Sequence, residues 1–381
     1  MLHRAALLLA VMLVVIPARL ASADEPHQWF LNANGTTNTY QIFAFNDDGT
    51  PQSVTPVASP DAPLVHLAWP SAIQVKNERW LLASGYDGSQ WGSVHRWVST
   101  DNGPWVAKGP WLTADASEPY GLGPAHVLID PEAPEPFSVI YLVRGASGPG
   151  DTIAVATSAD GVTWRRHGPI LSKSLPQEAG GLTLGYACRD TAGQWVVWYT
   201  GYSTDLTRAA ALVATGDSLL HPMVDKIVMM EGDNNSTGIT ANQAENTAIV
   251  GTTLKLGMPH LIIDGAHNEL VVPVVQDDSR IWLDRPLLYQ HTNATIVSMA
   301  ARKVEPSYAQ EQPDGSWKAI MTVYGPQPGI FAEYTTEASA PNLNGPWTFD
   351  ASGIRFSPWL NSTRYSTENP TPLAHGPSCT S

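Results

Sequence analysis

Residues 121–130 read GLGPAHVLID and residues 255–264 read KLGMPHLIID, so five of the ten positions are identical. Residues 181–190, GLTLGYACRD, keep the Gly-Leu start and the final Asp, while residues 69–76 and 305–312 share a Pro-Ser start. A turn and an apolar, strand-like run follow each of these stretches. Similarity at a regular spacing indicates that one structural unit is repeated along the chain.

The repeat predicts an all-β fold, because no stretch sustains a helical period and short β-type runs alternate with Gly, Pro, Asn and Asp. Five units of about 50 residues, each with three or four strands, are typical of a five-bladed β-propeller of four-stranded antiparallel blades. The predicted inner strands begin near residues 67, 121, 181, 255 and 303. A six-bladed ring is the main alternative, and a pair of β-sandwiches fits less well, because sandwiches do not repeat their inner-strand sequence.

The predicted domain organisation has three parts. Residues 1–23 read as a secretory leader, with Arg4, an apolar run of about 12 residues and an Ala-x-Ala-like end. Residues 24–350 form a single propeller domain, in which residues 28–57 add a strand or two that closes the ring. Residues 351–381 are expected to be an irregular tail. The leader predicts a secreted or periplasmic protein with no membrane insertion, and we expect a monomer.

Composition narrows the class of partner. The formal charge is −14 and no cluster of Lys or Arg appears, so binding to nucleic acid or to an anionic membrane surface is disfavoured. The 14 Trp and 12 Tyr suit the stacking of sugar rings as well as packing between sheets. The chain has two cysteines, Cys188 and Cys379. They could form a disulfide that fastens the tail to the third repeat, or remain separate thiols.

Two turns carry a resemblance to known proteins. Residues 99–105 read STDNGPW and residues 158–164 read SADGVTW, each between the third and fourth strands of its unit. The second turn resembles the blade turns of the five-bladed furanosidase-type glycosidases, the superfamily of arabinanases, β-xylosidases, invertases and levansucrases. The first is similar to the Asp box of sialidases. The resemblance implies a propeller whose ligand sits where the inner strands begin.

Aligned repeats predict which residues reach that axial end. One column holds Trp69, Gly123, Thr183, Gly257 and Glu305, and a column three residues later holds Ala72, His126, Tyr186, His260 and Tyr308. We expect Trp69, His126, Tyr186, His260 and Tyr308 to contact a carbohydrate. Packing between blades is the alternative for the His/Tyr column, and His126 and His260 could also ligate a metal, although we predict no metal and no cofactor. Trp69, Trp91 and Trp111 are candidate stacking platforms.

The candidate catalytic residues are Glu305, Glu178 and Glu118. Glycoside hydrolysis needs two carboxyl groups, one acting as acid and one as base or nucleophile. Glu305-Pro306 resembles the Glu-Gly-Pro or Glu-Cys-Pro that carries the general acid in the glycosidase superfamily, and Glu118 and Glu178 share one offset before a Gly-Leu pair. The chain departs from that superfamily at Trp69-Pro70, where an Asp-Pro would supply the base.

The function predicted from sequence is therefore a secreted glycoside hydrolase that cleaves a glycan by carboxylate acid/base catalysis on the axial face. The alternative is a carbohydrate-binding propeller without catalysis, because the three-carboxylate set of the superfamily is incomplete. A lyase that uses His and Tyr beside a uronic acid is disfavoured, because cations that would neutralise the uronate are scarce.

Overall fold

The computed structural model describes most of the chain between residues 28 and 380. The continuous ranges are 28–34, 39–53, 55–146, 148–231, 303–324, 332–354 and 365–380. Between residues 238 and 298 it describes the segments 238–240, 243–245, 248–250, 260–263, 268–271, 273–276, 281–283, 287 and 295–298. The predicted leader, residues 1–23, lies outside these ranges. No helix among the described residues has the length and hydropathy needed to cross a bilayer.

The fold is all-β. The first fourteen strands, with one short 3-10 helix (Pro176–Glu178) before β11, are β1 (Trp29–Asn34), β2 (Tyr40–Phe45), β3 (His66–Val75), β4 (Glu78–Tyr86), β5 (Trp91–Thr100), β6 (Val106–Thr113), β7 (Leu122–Ile129), β8 (Phe137–Gly145), β9 (Gly148–Ser158), β10 (Arg165–Ser172), β11 (Gly181–Arg189), β12 (Trp195–Tyr202), β13 (Ala209–Gly216) and β14 (Asp225–Glu231).

The second half of the chain begins with short strands. They are β15 (Gly238–Thr240), β16 (Gln243–Glu245), β17 (Ala248–Val250), β18 (His260–Ile263), β19 (Asn268–Val271), β20 (Pro273–Gln276), β21 (Ile281–Leu283) and β22 (Thr295–Ser298). Longer strands follow: β23 (Lys303–Glu311), β24 (Trp317–Tyr324), β25 (Ala332–Ala340), β26 (Thr348–Ile354) and β27 (Tyr365–Ala374).

Consecutive antiparallel strands form blades. Blade A is β3–β6, blade B is β7–β10, blade C is β11–β14 and blade D is β23–β26. Blade E combines both ends of the chain, because β27 pairs with β1 and β1 pairs with β2. The short strands form two separate four-stranded sheets, β15-β22-β18-β19 and β16-β17-β21-β20.

Among the described residues, the inner strands of these blades contact one another in a closed order: β3 with β7, β7 with β11, β11 with β23, β23 with β27, and β27 with β3. Parallel bridges join β13 to β23, β25 to β27 and β27 to β3, so the inner strands of blades C, D, E and A all begin at one end. Sheets arranged radially around an axis make a β-propeller. Five blades for the whole chain stays a prediction.

Apolar side chains fill each boundary between neighbouring blades. Separate buried clusters lie between A and B, B and C, C and D, D and E, and E and A. Their largest members include Tyr141, Tyr199, Trp198, Trp29 and Phe30. Each blade is therefore apolar on both faces, and burial of these faces, at about 25 cal/mol per Å² of apolar surface, drives the blades together.

Two sequence predictions about the ring were wrong. The inner strand expected near residue 255 is not placed in the ring by the described residues: β18, with His260, pairs with β19 and β22. The tail predicted to be irregular contains a strand at residues 351–354 and the whole of β27, so the propeller extends beyond residue 350. Pro370 in β27 lies at a bulge, where no ladder hydrogen bond is needed.

The expected strand closure by residues 28–57 is present, although the inner strand that β1 and β2 complete is β27 rather than the one at residue 303. A copy of the inner-strand motif was also overlooked. Asn369-Pro370-Thr371 matches Trp69-Pro70-Ser71 and Glu305-Pro306-Ser307. These x-Pro-Ser/Thr triplets mark the inner strands of blades A, D and E, while the Gly-Leu pairs mark those of blades B and C.

The turn between β9 and β10 has the geometry that its sequence predicts. The Asp160 carboxylate accepts hydrogen bonds from the amides of Val162 and Thr163, both at 2.8 Å. These bonds lower the pKa of Asp160 to about 2. The carbonyl of Gly161, a residue with φ of +69°, accepts a hydrogen bond from Trp111 Nε1 at 2.8 Å. Trp111 is thus buried in packing against this turn, and its expected role as a stacking platform was wrong.

A disulfide joins Cys188 in β11 to Cys379 after β27. The surrounding backbone is also paired: the Arg189 amide donates to the Pro377 carbonyl at 2.5 Å, and the Cys379 amide donates to the Arg189 carbonyl at 2.8 Å. Of the two possibilities that the sequence left open for Cys188 and Cys379, a disulfide or separate thiols, the structure has the disulfide. It ties the end of the chain across the boundary between blades C and D.

Removing this disulfide should destabilise the propeller substantially. The bond closes a loop with a sequence separation of 191 residues, and its loss restores conformational entropy to the unfolded chain. We expect the double variant Cys188→Ala/Cys379→Ala to lose about 2–5 kcal/mol of unfolding free energy in urea. Dithiothreitol should shift the wild-type midpoint in the same direction and leave the double variant unchanged. A double variant as stable as the wild type would contradict the expectation.

Candidate functional site

A bulge interrupts each inner strand that surrounds the axis. The ladder shifts register between Ala68 and Ser71, Leu122 and Ala125, Leu184 and Tyr186, Pro306 and Tyr308, and, for β27, opposite the step from Phe30 to Asn32. Residues at these bulges, among them Trp69, Pro124, Gly185, Ser307 and Asn369, line a narrow axial cavity. Its free space is roughly that of one water molecule, so a sugar must bind above it rather than within it.

Glu305 lies at the upper end of this axis. It is the third residue of β23, two residues before Ser307, and only 5% of it is exposed. The hydroxyl of Tyr202, the last residue of β12, donates a short hydrogen bond to Glu305 Oε1. The structure thus brings a carboxylate and a phenol from neighbouring blades together where the inner strands begin.

Two cations stand beside this pair. Lys303 Nζ lies 5.7 Å from the centroid of the Tyr202 ring. Arg144, at the end of β8, has its pKa lowered by burial, and its electrostatic interaction with Tyr202 acts in the opposite direction. Lys303 of blade D therefore lies near the ring of Tyr202 of blade C, and Arg144 of blade B interacts with Tyr202 electrostatically.

Strand pairing and hydrogen bonds together connect Glu305 to Trp69 around the axis. Glu305 is the ladder partner of Thr322, whose hydroxyl accepts the Asn369 amide at 2.9 Å. Asn369 Nδ2 donates to Asn32 Oδ1 at 3.4 Å, and the same oxygen accepts the Trp69 amide at 3.2 Å. Trp69 and Glu305, predicted in one column from the repeat, thus belong to one network that spans blades D, E and A.

The predicted His/Tyr column lies deeper in the ring. His126 Nδ1 is 3.2 Å from Ser71 Oγ. The His126 and Tyr186 ring centroids are 4.6 Å apart, and those of Tyr186 and Tyr308 are 4.9 Å apart. Burial lowers the pKa of His126 to about 4, although the Ala187 backbone acts the other way, so the ring is neutral at pH 7. Burial also raises the pKa of Tyr186 well above its usual value.

This column packs the axis and supports the site from below. His126 and Tyr186 are almost completely buried, and Tyr308 also contacts Trp29 edge-on at 5.2 Å. His260 does not stand between Tyr186 and Tyr308, as the repeat predicted, because those two rings touch directly. Packing between blades, the alternative considered from sequence, describes the positions of His126 and Tyr186 better than direct contact with a sugar.

Glu178 is engaged in a buried ion pair. It is 0% exposed, and its oxygens accept hydrogen bonds from Lys226 Nζ at 2.8 and 3.1 Å and from the Tyr199 hydroxyl at 2.7 Å. The amides of Ser174 and Leu175 donate to it as well, at 2.5 and 2.8 Å. Burial alone would raise the pKa of Glu178, but these hydrogen bonds outweigh it and lower the pKa below its ordinary value.

Glu118 repeats this arrangement one blade earlier. Arg166 donates to both of its oxygens at 3.1 Å, and the Asp115 amide donates at 3.0 Å. Burial, together with the neighbouring Glu118 carboxylate, raises the pKa of Tyr141. In blades B and C alike, a Glu before the inner strand is thus held by a Tyr on the second strand and a cation on the fourth. The shared sequence offset marks a repeated structural contact.

The sheet separates Glu178 from Glu305. Their tyrosine partners, Tyr199 and Tyr202, are three residues apart on β12, so their side chains leave opposite faces of that strand. Tyr199 faces blade B, and Tyr202 faces blade D. The structure therefore brings Glu305 and Trp69 into one network, and it places Glu118 and Glu178 at boundaries between other blades.

Sequence reasoning missed Tyr202, Arg144 and Asn369. Asn369 could have been found from its Pro-Thr neighbours, which repeat the motif of the inner strands. Tyr202 ends the second strand of its blade, as Tyr86 and Tyr324 do in blades A and D, so the repeat could have marked it. Arg144, near the end of β8, has no such counterpart, and only the closure of the ring reveals it. Among the residues that the structure describes, no group of three or more His, Cys, Asp or Glu could hold a metal ion.

Comparisons with known proteins found no matching family model and no matching curated protein. Solved structures do match. One is a glycosyl hydrolase from Bacteroides ovatus, with 14% identity, covering 80% of this chain and 80% of that chain at a TM-score of 0.48. Another is an α-L-arabinofuranosidase from Podospora anserina in complex with cellotriose, with 10% identity, 80% and 74% coverage and a TM-score of 0.47.

An endo-arabinase from Bacteroides thetaiotaomicron is similar over 76% of this chain and 81% of that chain, with 10% identity and a TM-score of 0.46. These neighbours are glycoside hydrolases by their descriptions. At such identities and TM-scores the likeness assigns no role to any residue of this chain.

Proposed function

We propose that this chain is an exported glycoside hydrolase that binds a glycan on the axial face of the propeller and uses Glu305 as its acid/base carboxyl group. The observation that carries the proposal is the Glu305–Tyr202 pair. A buried carboxyl group that contacts a phenol, at the end of the axis where the inner strands begin, supports a role in acid/base catalysis. In this proposal Glu305 protonates the oxygen of the departing sugar, and Tyr202 holds the carboxyl group in place.

Export is part of the proposal. Residues 1–23 have the composition of a secretory leader, and the Cys188–Cys379 bond is of the kind that persists in oxidising compartments. We propose that the mature protein acts as a monomer, secreted or periplasmic. Its glycan substrate would meet the network from Glu305 to Trp69 and not the buried ion pairs of Glu118 and Glu178.

A second function is favoured by one observation. Glu118 and Glu178 are each committed to a cation, so neither stands ready as the second carboxylate of a hydrolase. A propeller that binds a carbohydrate on the same face without cleaving it would need no second carboxylate. The two candidates use the same site and differ only in whether the bound glycan is cleaved.

A panel of aryl glycosides and neutral polysaccharides separates the two candidates. We expect the wild-type protein to release reducing sugar or aryl alcohol from at least one class, because in this proposal Glu305 protonates the leaving group. Saturable binding in calorimetry without product release would favour the binding propeller. If neither product release nor binding is detected with any furanoside or pyranoside, both candidates are contradicted.

A further inference from the structure

Half-buried aromatic rings continue from the axial site over one end of blade A. The row leaves the inner strand β3 for β5, returns through β4 to the start of β3, and ends on β2 of the neighbouring blade E. Its members, in spatial order, are Trp69, Trp91, Tyr86, His66 and Tyr40. Each is partly accessible to solvent, unlike the fully buried aromatic residues between blades. We call this set the aromatic row.

Neighbouring rings of the aromatic row touch one another. The centroids of Trp69 and Trp91 are 4.6 Å apart, and those of Trp91 and Tyr86 are 5.2 Å apart. Tyr86 and His66 are stacked at 5.7 Å with an interplanar angle of 20°, and His66 meets Tyr40 edge-on at 5.6 Å. The row is therefore one continuous surface rather than a scatter of exposed side chains.

The backbone that carries Trp69 and Trp91 is constrained. Trp69 has a φ of +53°, a left-handed conformation that costs a bulky residue free energy and that clusters at ligand-binding sites. Asn32 holds it by accepting the Trp69 amide. The Trp91 carbonyl packs so closely on Gly121 that a Cβ there would lie 2.0 Å from the oxygen. The backbone at both tryptophans is thus held in place before any ligand arrives.

The outer rings are held as well, and the row carries no charge at neutral pH. The Tyr86 hydroxyl donates to the Gly88 carbonyl at 3.0 Å, and His66 Nδ1 accepts the Tyr40 amide at 3.2 Å. Burial lowers the pKa of His66, so its ring is neutral at pH 7. The nearby Asp87 carboxylate is occupied by Ser89 and by the Gln90 amide.

We propose that the aromatic row is an extended binding surface for an uncharged oligosaccharide, which continues from the axial site over blade A. Rigid aromatic faces match the apolar faces of sugar rings, while indole, phenol and imidazole edges can hydrogen-bond the hydroxyl rim. Uncharged rings on an acidic protein favour a neutral glycan over an anionic one. The inference deepens the proposed function, since it makes the substrate a polymer bound by several consecutive units.

Affinity should therefore rise with chain length, and the aromatic row should be responsible for the rise. The probes are cello-oligosaccharides and linear arabino-oligosaccharides, from disaccharide to hexasaccharide, titrated calorimetrically into Glu305→Gln protein so that cleavage does not interfere. We expect Trp91→Ala in this background to weaken hexasaccharide binding about tenfold and disaccharide binding much less. Tyr86→Ala should act in the same direction, which keeps the test usable if Trp91→Ala does not fold.

Trp195→Ala is the matched control, because Trp195 is also a half-buried Trp but lies where β12 starts, at the opposite end of the propeller. It should leave both affinities unchanged. The inference is overturned if no oligosaccharide binds, if affinity is independent of length, or if both variants on the row bind the hexasaccharide like the parent. If affinity rises with chain length but the wild type hydrolyses no glycan, only the hydrolase proposal is contradicted. If the wild type hydrolyses a glycan through Glu305 but affinity does not rise with chain length, only this inference is contradicted.

Discussion

Glu305→Gln is expected to lower kcat/KM by about 10²–10⁴-fold on any glycan that the wild type cleaves, while the affinity for that glycan stays nearly unchanged. Glutamine fills the space of glutamate and can still face the Tyr202 hydroxyl, but it cannot donate a proton to a departing oxygen. The measurement is initial rate against substrate concentration, paired with calorimetric affinity for an uncleaved oligosaccharide.

Two variants control this experiment. Glu311→Gln changes a carboxylate at the other end of the same strand, where it accepts hydrogen bonds from Thr191, and it should retain full activity. Tyr202→Phe removes the hydroxyl that holds Glu305 and should lower kcat less than Glu305→Gln does. Equal rates for the wild type and Glu305→Gln would remove Glu305 from the mechanism.

Lys226→Met should cost about 3–5 kcal/mol of unfolding free energy at pH 7. The Lys226 side chain is 5% exposed, and it neutralises a carboxylate with no solvent exposure. Methionine preserves the volume but leaves the Glu178 charge buried without a cation. Urea unfolding at pH 7 measures the loss. Glu178→Gln/Lys226→Met, which removes both charges, should recover part of the stability.

Arg166→Met is the matched comparison in blade B. Because Arg166 is 25% exposed and can be partly replaced by water, we expect a smaller loss, about 1–3 kcal/mol. A Lys226→Met loss below 1 kcal/mol would contradict the structural role given to the Glu178 pair.

The effect of Lys226→Met should depend on pH with a definite sign. Glu178 has a lowered pKa in the folded wild type. Its contribution to the free energy of unfolding is therefore complete above the pKa of the unfolded state, near 4.3, and is lost as the pH falls through the pKa of the folded state. Without Lys226, burial raises the pKa of the carboxyl instead, and protonation relieves the penalty. The difference in stability between wild type and variant should therefore shrink between pH 7 and pH 4.

Local patterns predicted the fold because the repeat is local. The Asp160 turn needs only neighbouring amides, and the alternation of apolar strands with Gly- and Asp-rich turns is visible within each unit. The same turn occurs a third time as Asn344-Gly345-Pro346-Trp347, a match to residues 102–105, and there Trp347 packs on Trp198. Each recurring turn brings a Trp to a blade boundary.

Predictions that depended on distant partners were weaker. Glu118 and Glu178 were rightly seen as equivalent, but their cations lie 48 residues away in sequence, beyond the reach of any motif. His260 carries the inner-strand signature, yet β23 contacts β11 directly and takes the neighbouring place in the ring. A sequence repeat reveals which positions of its units are equivalent, but it does not determine which units become neighbours in the folded ring.

The most direct test is a crystal structure of Glu305→Gln with a bound hexasaccharide. We expect sugar density at the end of the axis where the inner strands begin, with one unit between Tyr202 and Trp69 and further units over Trp91 and Tyr86. Density confined to the opposite end, near Trp195 and the Cys188–Cys379 bond, would contradict this expectation.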